Sequence, residues 1–162
     1  MKKIILTLIF SIFTINSLFA QSLEATFKDW SVFTVIQGSK KICYIASIPI
    51  KQEGNYNKRG EPYILVTNIN NNADEISVSS GYNYKKASEV DLQFGINKIK
   101  FFTHENIAWA KSKEEDLSVI RAMKVGADVI VKGTSTLNTN SIDTYSLIGF
   151  TAAYNKMKEI CK

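Results

Sequence analysis

Residues 30–48, WSVFTVIQGSKKICYIASI, contain two runs of β-branched and aromatic residues on either side of a glycine. In the first run Trp30 and Val32 occupy alternate positions, so both face the same side of a strand. The second run, residues 41–48, follows Gly38-Ser39, a pair typical of a tight hairpin turn. These two runs predict a hairpin and therefore a β-rich fold.

The same strand signals recur through the rest of the chain, separated by polar or glycine-containing turns. The predicted strands are residues 30–37, 41–48, 63–68, 75–79, 90–94, 98–103, 107–111 and 128–132. Residues 51–61 read as a polar loop, the asparagines at 70–72 as a turn, and residues 95–97 as a second tight hairpin. Together these segments predict a compact antiparallel β structure.

One predicted helix covers about residues 113–125. Ser112 followed by Glu115 is a capping-box pattern, in which each side chain satisfies a free amide of the first turn. Gly126 stands where a left-handed helix end is expected. The apolar stripe of this helix is predicted to consist of Leu117, Ile120, Met123 and Val125.

A second predicted helix covers about residues 149–160. Phe150, Ala153, Tyr154 and Met157 follow helical spacing, so one face should pack on the sheet. The expected fold is therefore an antiparallel β-sandwich or barrel-like sheet with two packed α-helices.

The first twenty residues have the layout of a cleavable signal peptide. Lys2 and Lys3 precede an apolar run, residues 4–15, and Ala20 stands before the polar Gln21. An uncleaved membrane anchor is the alternative, but a spanning helix needs about 20 apolar residues and this run is shorter. We expect an exported protein in which residues 21–162 form a single domain without a membrane span.

The charge of the expected mature chain is mild. Loss of the two lysines in the signal leaves 18 basic residues against 15 acidic ones, a net charge of +3. The lysines are scattered, whereas nucleic-acid binding usually requires a clustered basic face. We therefore expect no nucleic-acid partner.

Two cysteines, Cys43 and Cys161, occur in the whole chain. An even number outside the cytoplasm favours a disulfide, and with two cysteines the pairing is determined. The alternative is a pair of free thiols. We expect a bridge that ties an early strand to the end of the last helix.

No complete catalytic motif occurs in the sequence. His104 is the single histidine and lacks the second histidine of a zinc helix. Residues 133–136, GTST, lack the pattern of a phosphate-binding loop and read as a strand end and turn. Pairing of Cys43 with His104 as nucleophile and base is disfavoured, because Cys43 lies in an apolar strand and has a disulfide partner available. The sequence predicts no metal site and no cofactor.

Aromatic residues offer a candidate ligand surface. Tyr82 and Tyr84 share one face of a segment beside a loop, and together with His104 they are the residues we expect at such a surface. Trp109 could extend this surface as an aromatic platform, but large aromatic residues in β structures are more often core. We therefore expect Trp109 in the core.

Several motifs give the chain a resemblance to a known family. They are residues 27–30 (FKDW), 43–47 (CYIAS), 59–63 (RGEPY), 65–68 (LVTN), 78–82 (VSSGY), 108–110 (AWA), 131–135 (VKGTS) and 143–153 (DTYSLIGFTAA). In this order they resemble the invasion-associated locus B family of exported alphaproteobacterial proteins. The resemblance covers about residues 27–161, and residues 143–153 are its most specific part.

The resemblance implies a β-rich protein of the periplasm or envelope that is not a known kind of enzyme. It also implies a last strand at residues 143–147 that turns at Gly149 into the final helix, with Ser146 or Thr151 as its cap. Arg59 would pair with an acid across the sheet.

The expected function is that of a non-catalytic envelope protein that binds a partner protein or small ligand, with a link to host-cell contact or envelope integrity. One alternative is an envelope hydrolase that uses a carboxylate pair which the sequence does not identify. Another is an adhesin-like factor on the cell surface.

Overall fold

The computed structural model describes residues 21–69 and 73–162. Within them the elements are β1 (Gln21–Phe27), β2 (Trp30–Gln37), β3 (Lys40–Ser47), β4 (Lys51–Gly54), β5 (Tyr63–Ile69), β6 (Asp74–Ser79), β7 (Glu89–Phe94), β8 (Asn97–His104), β9 (Ile107–Trp109), α1 (Lys113–Val125), β10 (Asp128–Thr134), β11 (Asn140–Ser146) and α2 (Phe150–Ile160). The predicted signal peptide and the predicted turn at residues 70–72 lie outside the described residues.

The eleven described strands form one antiparallel sheet in the order β1-β2-β3-β5-β6-β9-β8-β7-β10-β11-β4. The sheet is not closed into a barrel, and β1 and β4 are its edges. The two strands next to these edges nevertheless approach each other. The indole Nε1 of Trp30 in β2 donates a buried hydrogen bond of 2.9 Å to the carbonyl oxygen of Ser146 in β11. The predicted β-rich class with two helices is confirmed, and the sheet is curved but open.

Helix α1 begins as predicted but buries a different stripe. The Oγ of Ser112 accepts a hydrogen bond from the backbone N–H of Glu115. Leu117 and Val125, predicted to be buried, are 48% and 87% exposed. The buried residues are Asp116, Val119, Ile120 and Met123, which keep helical spacing along one face.

Gly126 and Gly149 lie at the predicted helix boundaries, but the conformation predicted for Gly126 and the side-chain cap predicted for α2 are wrong. Gly126 ends α1 in an extended conformation, with φ −76°, and not in the left-handed one. Gly149 precedes α2 in the left-handed region, and no side chain caps that helix. The Oγ of Ser146 accepts from the N–H of Ile148, and the Oγ1 of Thr151 donates to the carbonyl of Lys124. Neither side chain is therefore the predicted cap.

Helix α2 packs its predicted face against the sheet. Phe150, Ala153 and Met157 are buried, and the ring of Phe150 meets Trp30 edge to face at 4.9 Å. The predicted disulfide is confirmed: Cys43 in β3 is bonded to Cys161 after α2, with their Cα atoms 5.8 Å apart. This bond holds the end of α2 against the sheet.

Two strands were not predicted, and both are edges of the sheet. β4, KQEG, lies inside the predicted polar loop and has four exposed residues. β1 is mostly exposed as well. Edge strands with little burial lack the apolar alternation on which strand prediction depends. Within the described residues no helix is long and apolar enough to cross a membrane.

Candidate functional site

A buried ion pair lies at one end of the core. Asp143 faces inward from β11, and Arg59 enters from the loop between β4 and β5; their side chains are 0% and 3% exposed. The Nη1 of Arg59 lies 2.7 Å from Oδ2 of Asp143, and Nη2 donates to Oδ1. Arg59 also donates to the carbonyl oxygen of Ser80 at 3.0 Å and to Oε1 of Gln52 at 2.8 Å. The predicted acidic partner of Arg59 is thus Asp143.

Tyr82 and Tyr84 lie beside this ion pair. The Tyr84 hydroxyl donates to Oγ of Ser80 at 2.9 Å, and the Tyr82 hydroxyl is 2.7 Å from Oγ of Ser141. The two rings meet edge to face at 5.4 Å. Burial raises the pKa of both phenols, so both remain neutral near pH 7. Tyr84 is only 4% exposed, whereas Tyr82 borders a shallow polar depression of about 400 Å³.

His104 lies elsewhere, in an outer groove of about 510 Å³. This groove runs between the β8–β9 hairpin and the start of α1, and its lining includes Glu75, Phe102, His104, Trp109, Lys111 and Asp116. The structure therefore brings Tyr82 and Tyr84 together but places His104 in a separate depression.

Two aromatic rings form the floor of the outer groove. Phe102 of β8 and Trp109 of β9 are paired across the strands, and their rings stack with centroids 5.9 Å apart and planes 30° apart. Phe102 is 43% exposed. The prediction that Trp109 is a core residue is wrong, because Ala108 occupies the inward position and side chains alternate along a strand.

A cluster of three charged side chains borders these rings. Glu89 accepts hydrogen bonds from Lys111 at 2.8 Å and from Lys100 at 2.9 Å. The hydrogen bond from Lys111 has the larger effect and that from Lys100 the next, and together they lower the pKa of Glu89 to about 2. The single carboxylate of Glu89 offsets one of the two lysine charges, so this cluster keeps an excess of one positive charge.

Asp116 is the one buried acid that lines the groove, at 8% exposure. Its Oδ1 accepts a hydrogen bond of 2.9 Å from the backbone N–H of Ile76. Burial raises the pKa of Asp116, and the negative charge of Glu75, which lines the same groove, raises it further. Asp116 is thus more readily protonated than an ordinary aspartate, and its protonated form can both donate and accept hydrogen bonds.

Sequence reasoning identified His104 but not the aromatic floor beside it. The signal was present in Phe101-Phe102, since two consecutive aromatic residues in a strand must face opposite sides. Phe101 is fully buried, so Phe102 faces outward on the same side as His104. Within the described residues no three His, Cys, Asp or Glu side chains are placed to hold a metal ion.

Comparison with known proteins gives one match. The family model described as Invasion associated locus B (IalB) protein matches residues 30–158. No curated protein and no solved structure matches the chain significantly. The matched range includes the buried Arg59–Asp143 pair and the whole outer groove. Because the match covers most of the chain, this protein belongs to the invasion associated locus B (IalB) family.

Proposed function

We propose that this protein is a non-catalytic binding protein of the bacterial cell envelope, and that the outer groove beside Trp109 holds its ligand or partner. The observation that carries the proposal is the stacked pair of Phe102 and Trp109 on the outside of the sheet. Binding sites are commonly concave and lined by aromatic side chains with a few polar groups, and this groove has that composition.

The groove is built on rigid elements, which supports a binding role. Phe102 and Trp109 lie in hydrogen-bonded strands, and α1 begins directly after the groove. Aromatic rings held by a sheet lose little conformational freedom when a ligand stacks on them. The same contacts would therefore give more affinity than they would from a mobile loop.

The periplasm is the location we propose. A disulfide such as Cys43–Cys161 persists in oxidising compartments, and the first twenty residues have the layout of an export signal. Cell fractionation tests this, and recovery in the cytoplasm would contradict it. Cleavage by protease added to intact cells would favour an adhesin-like factor that contacts host cells over a periplasmic role in envelope integrity.

Binding in the groove is testable by thermal unfolding. Fractions of the envelope, separated into glycans, peptides and lipids, should include one that raises the midpoint of unfolding of the wild-type protein. Trp109→Ala should lose that rise, because it removes part of the aromatic floor. Phe33→Ala is the matched control, since Phe33 stacks on Tyr44 on another outer face of the sheet at 5.1 Å. An equal rise in Trp109→Ala and wild type would contradict the proposal.

A second candidate function is hydrolysis by a carboxylate pair. Glu75 and Asp116 line the same groove, and the raised pKa of Asp116 suits a general acid. Purified protein incubated with envelope polymers would then release new products, and Asp116→Asn would abolish the release. Binding without turnover would favour the non-catalytic proposal.

A further inference from the structure

We infer that the ligand of the outer groove is an uncharged glycan, one sugar ring of which stacks on Phe102 and Trp109. This inference rests on the proposed function and specifies the chemical class of its ligand.

The shape of the groove floor is the first argument. Phe102 and Trp109 are direct cross-strand neighbours whose ring planes differ by only 30°. They therefore form one broad, nearly flat apolar surface and not a deep hole for a single side chain. The C–H groups on one face of a pyranose ring also form a nearly flat apolar surface, which can stack on the two aromatic rings. The hydroxyl groups of the sugar point outward around its edge.

The charges around the floor are the second argument. Lys100 and Lys111 both donate to Glu89, which offsets one of their two positive charges. Lys113 and Glu75, also at the groove, have opposite signs, and the carboxylate of Asp116 offsets the remaining positive charge. A groove with this balance offers no net attraction to a phosphate-rich or polyanionic ligand. The charge of the surface is therefore complementary to a neutral ligand.

The polar groups at the rim are the third argument. His104 lies two residues beyond Phe102 along β8, and Asp116 lies at the α1 end of the groove. Sugar hydroxyl groups both donate and accept hydrogen bonds, so the imidazole of His104 can donate to them and the carboxylate oxygens of Asp116 can accept from them. The Oδ1 of Asp116 is already held by the N–H of Ile76, which orients the carboxyl group before a ligand arrives.

Intrinsic tryptophan fluorescence tests this inference directly. The chain has two tryptophans: Trp30 is fully buried, so Trp109 is the one that a ligand in the groove would contact. Titration with oligomers of N-acetylglucosamine and with glucose oligomers, both uncharged, should give a saturable fluorescence change for at least one of them. Phe102→Ala should weaken that binding at least ten-fold and Phe33→Ala should leave it unchanged.

The outcomes separate this inference from the proposed function. If extended peptides change the Trp109 fluorescence and no glycan does, the glycan inference is overturned and the binding function stands. If a glycan binds equally well to wild type and Phe102→Ala, its site is not the aromatic floor and the inference is also overturned. If no glycan, peptide or envelope fraction binds, both fail together.

Discussion

Arg59 and Asp143 form a doubly hydrogen-bonded ion pair inside the protein, with side chains that are 3% and 0% exposed. Removal of one partner leaves a buried charge without compensation, which typically costs about 3 to 5 kcal/mol. We therefore expect Arg59→Met to lower the free energy of unfolding by about that amount. Urea unfolding followed by circular dichroism measures it.

An exposed ion pair of the same chain is the control for that prediction. Lys51 and Glu53 lie 2.9 Å apart with side chains 63% and 50% exposed. Glu53→Gln should cost less than about 1 kcal/mol, because solvent screens the pair. If Arg59→Met and Glu53→Gln lowered the free energy of unfolding equally, the buried pair would contribute no more to stability than the exposed pair, and the prediction would be wrong.

The disulfide should make a large contribution to stability. Cys43 and Cys161 are separated by 118 positions, and on the loop-entropy model a bridge of that span is worth about 4 to 5 kcal/mol. Replacement of both residues by alanine should lower the free energy of unfolding by about this amount. Reductant should destabilise the wild type to the level of the variant and leave the variant unchanged. A wild type that is equally stable with and without reductant would contradict the prediction.

Gly81 should be much less tolerant of a side chain than Gly95. Both have positive φ, +76° and +56°, but a Cβ on Gly81 would lie 2.1 Å from the carbonyl oxygen of Gly60, whereas a Cβ on Gly95 would meet no atom within 4 Å. Gly95→Ala should cost about 1 to 2 kcal/mol for the left-handed conformation alone. Gly81→Ala should cost about 1 to 3 kcal/mol more, as overpacked sites do. The comparison fails if thermal unfolding finds the two variants equally stable.

Asp116 should make the stability of the protein depend on pH in a defined direction. Burial raises its pKa in the folded state, so its favourable contribution is complete below the unfolded pKa of about 4 and is lost as pH rises through the folded value. Asp116→Asn cannot ionise and keeps an oxygen that can accept from the N–H of Ile76. The stability of the variant relative to wild type should therefore increase between pH 4 and pH 8. Urea unfolding across that range would contradict the account if the difference decreased instead.

Local sequence patterns predicted much of the fold. The hairpin at Gly38, the capping of α1 by Ser112 and the packed face of α2 all depend on residues close together in the chain, and all are present in the structure. The edge strand β4 could not be predicted in this way. Its four exposed residues are paired only because β11, far along the chain, lies beside them.

The candidate site was less predictable, because it depends on contacts between distant strands. Alternation alone could have placed Phe102 and His104 on one outward face. It could not show that Trp109 stacks on Phe102, since that contact requires the pairing of β8 with β9. The burial of Asp116 beside this pair depends in turn on α1 packing against β6.

The most direct test of the account concerns the two tryptophan side chains in a proton–nitrogen NMR spectrum of the protein. Trp109 lies on the floor of the outer groove, and Trp30 is buried and bonded to the carbonyl oxygen of Ser146. On saturation with the envelope component that binds, the account predicts that the indole resonance of Trp109 shifts and that of Trp30 does not. An unchanged Trp109 resonance in the saturated protein would contradict the account, because the ligand would then occupy another surface.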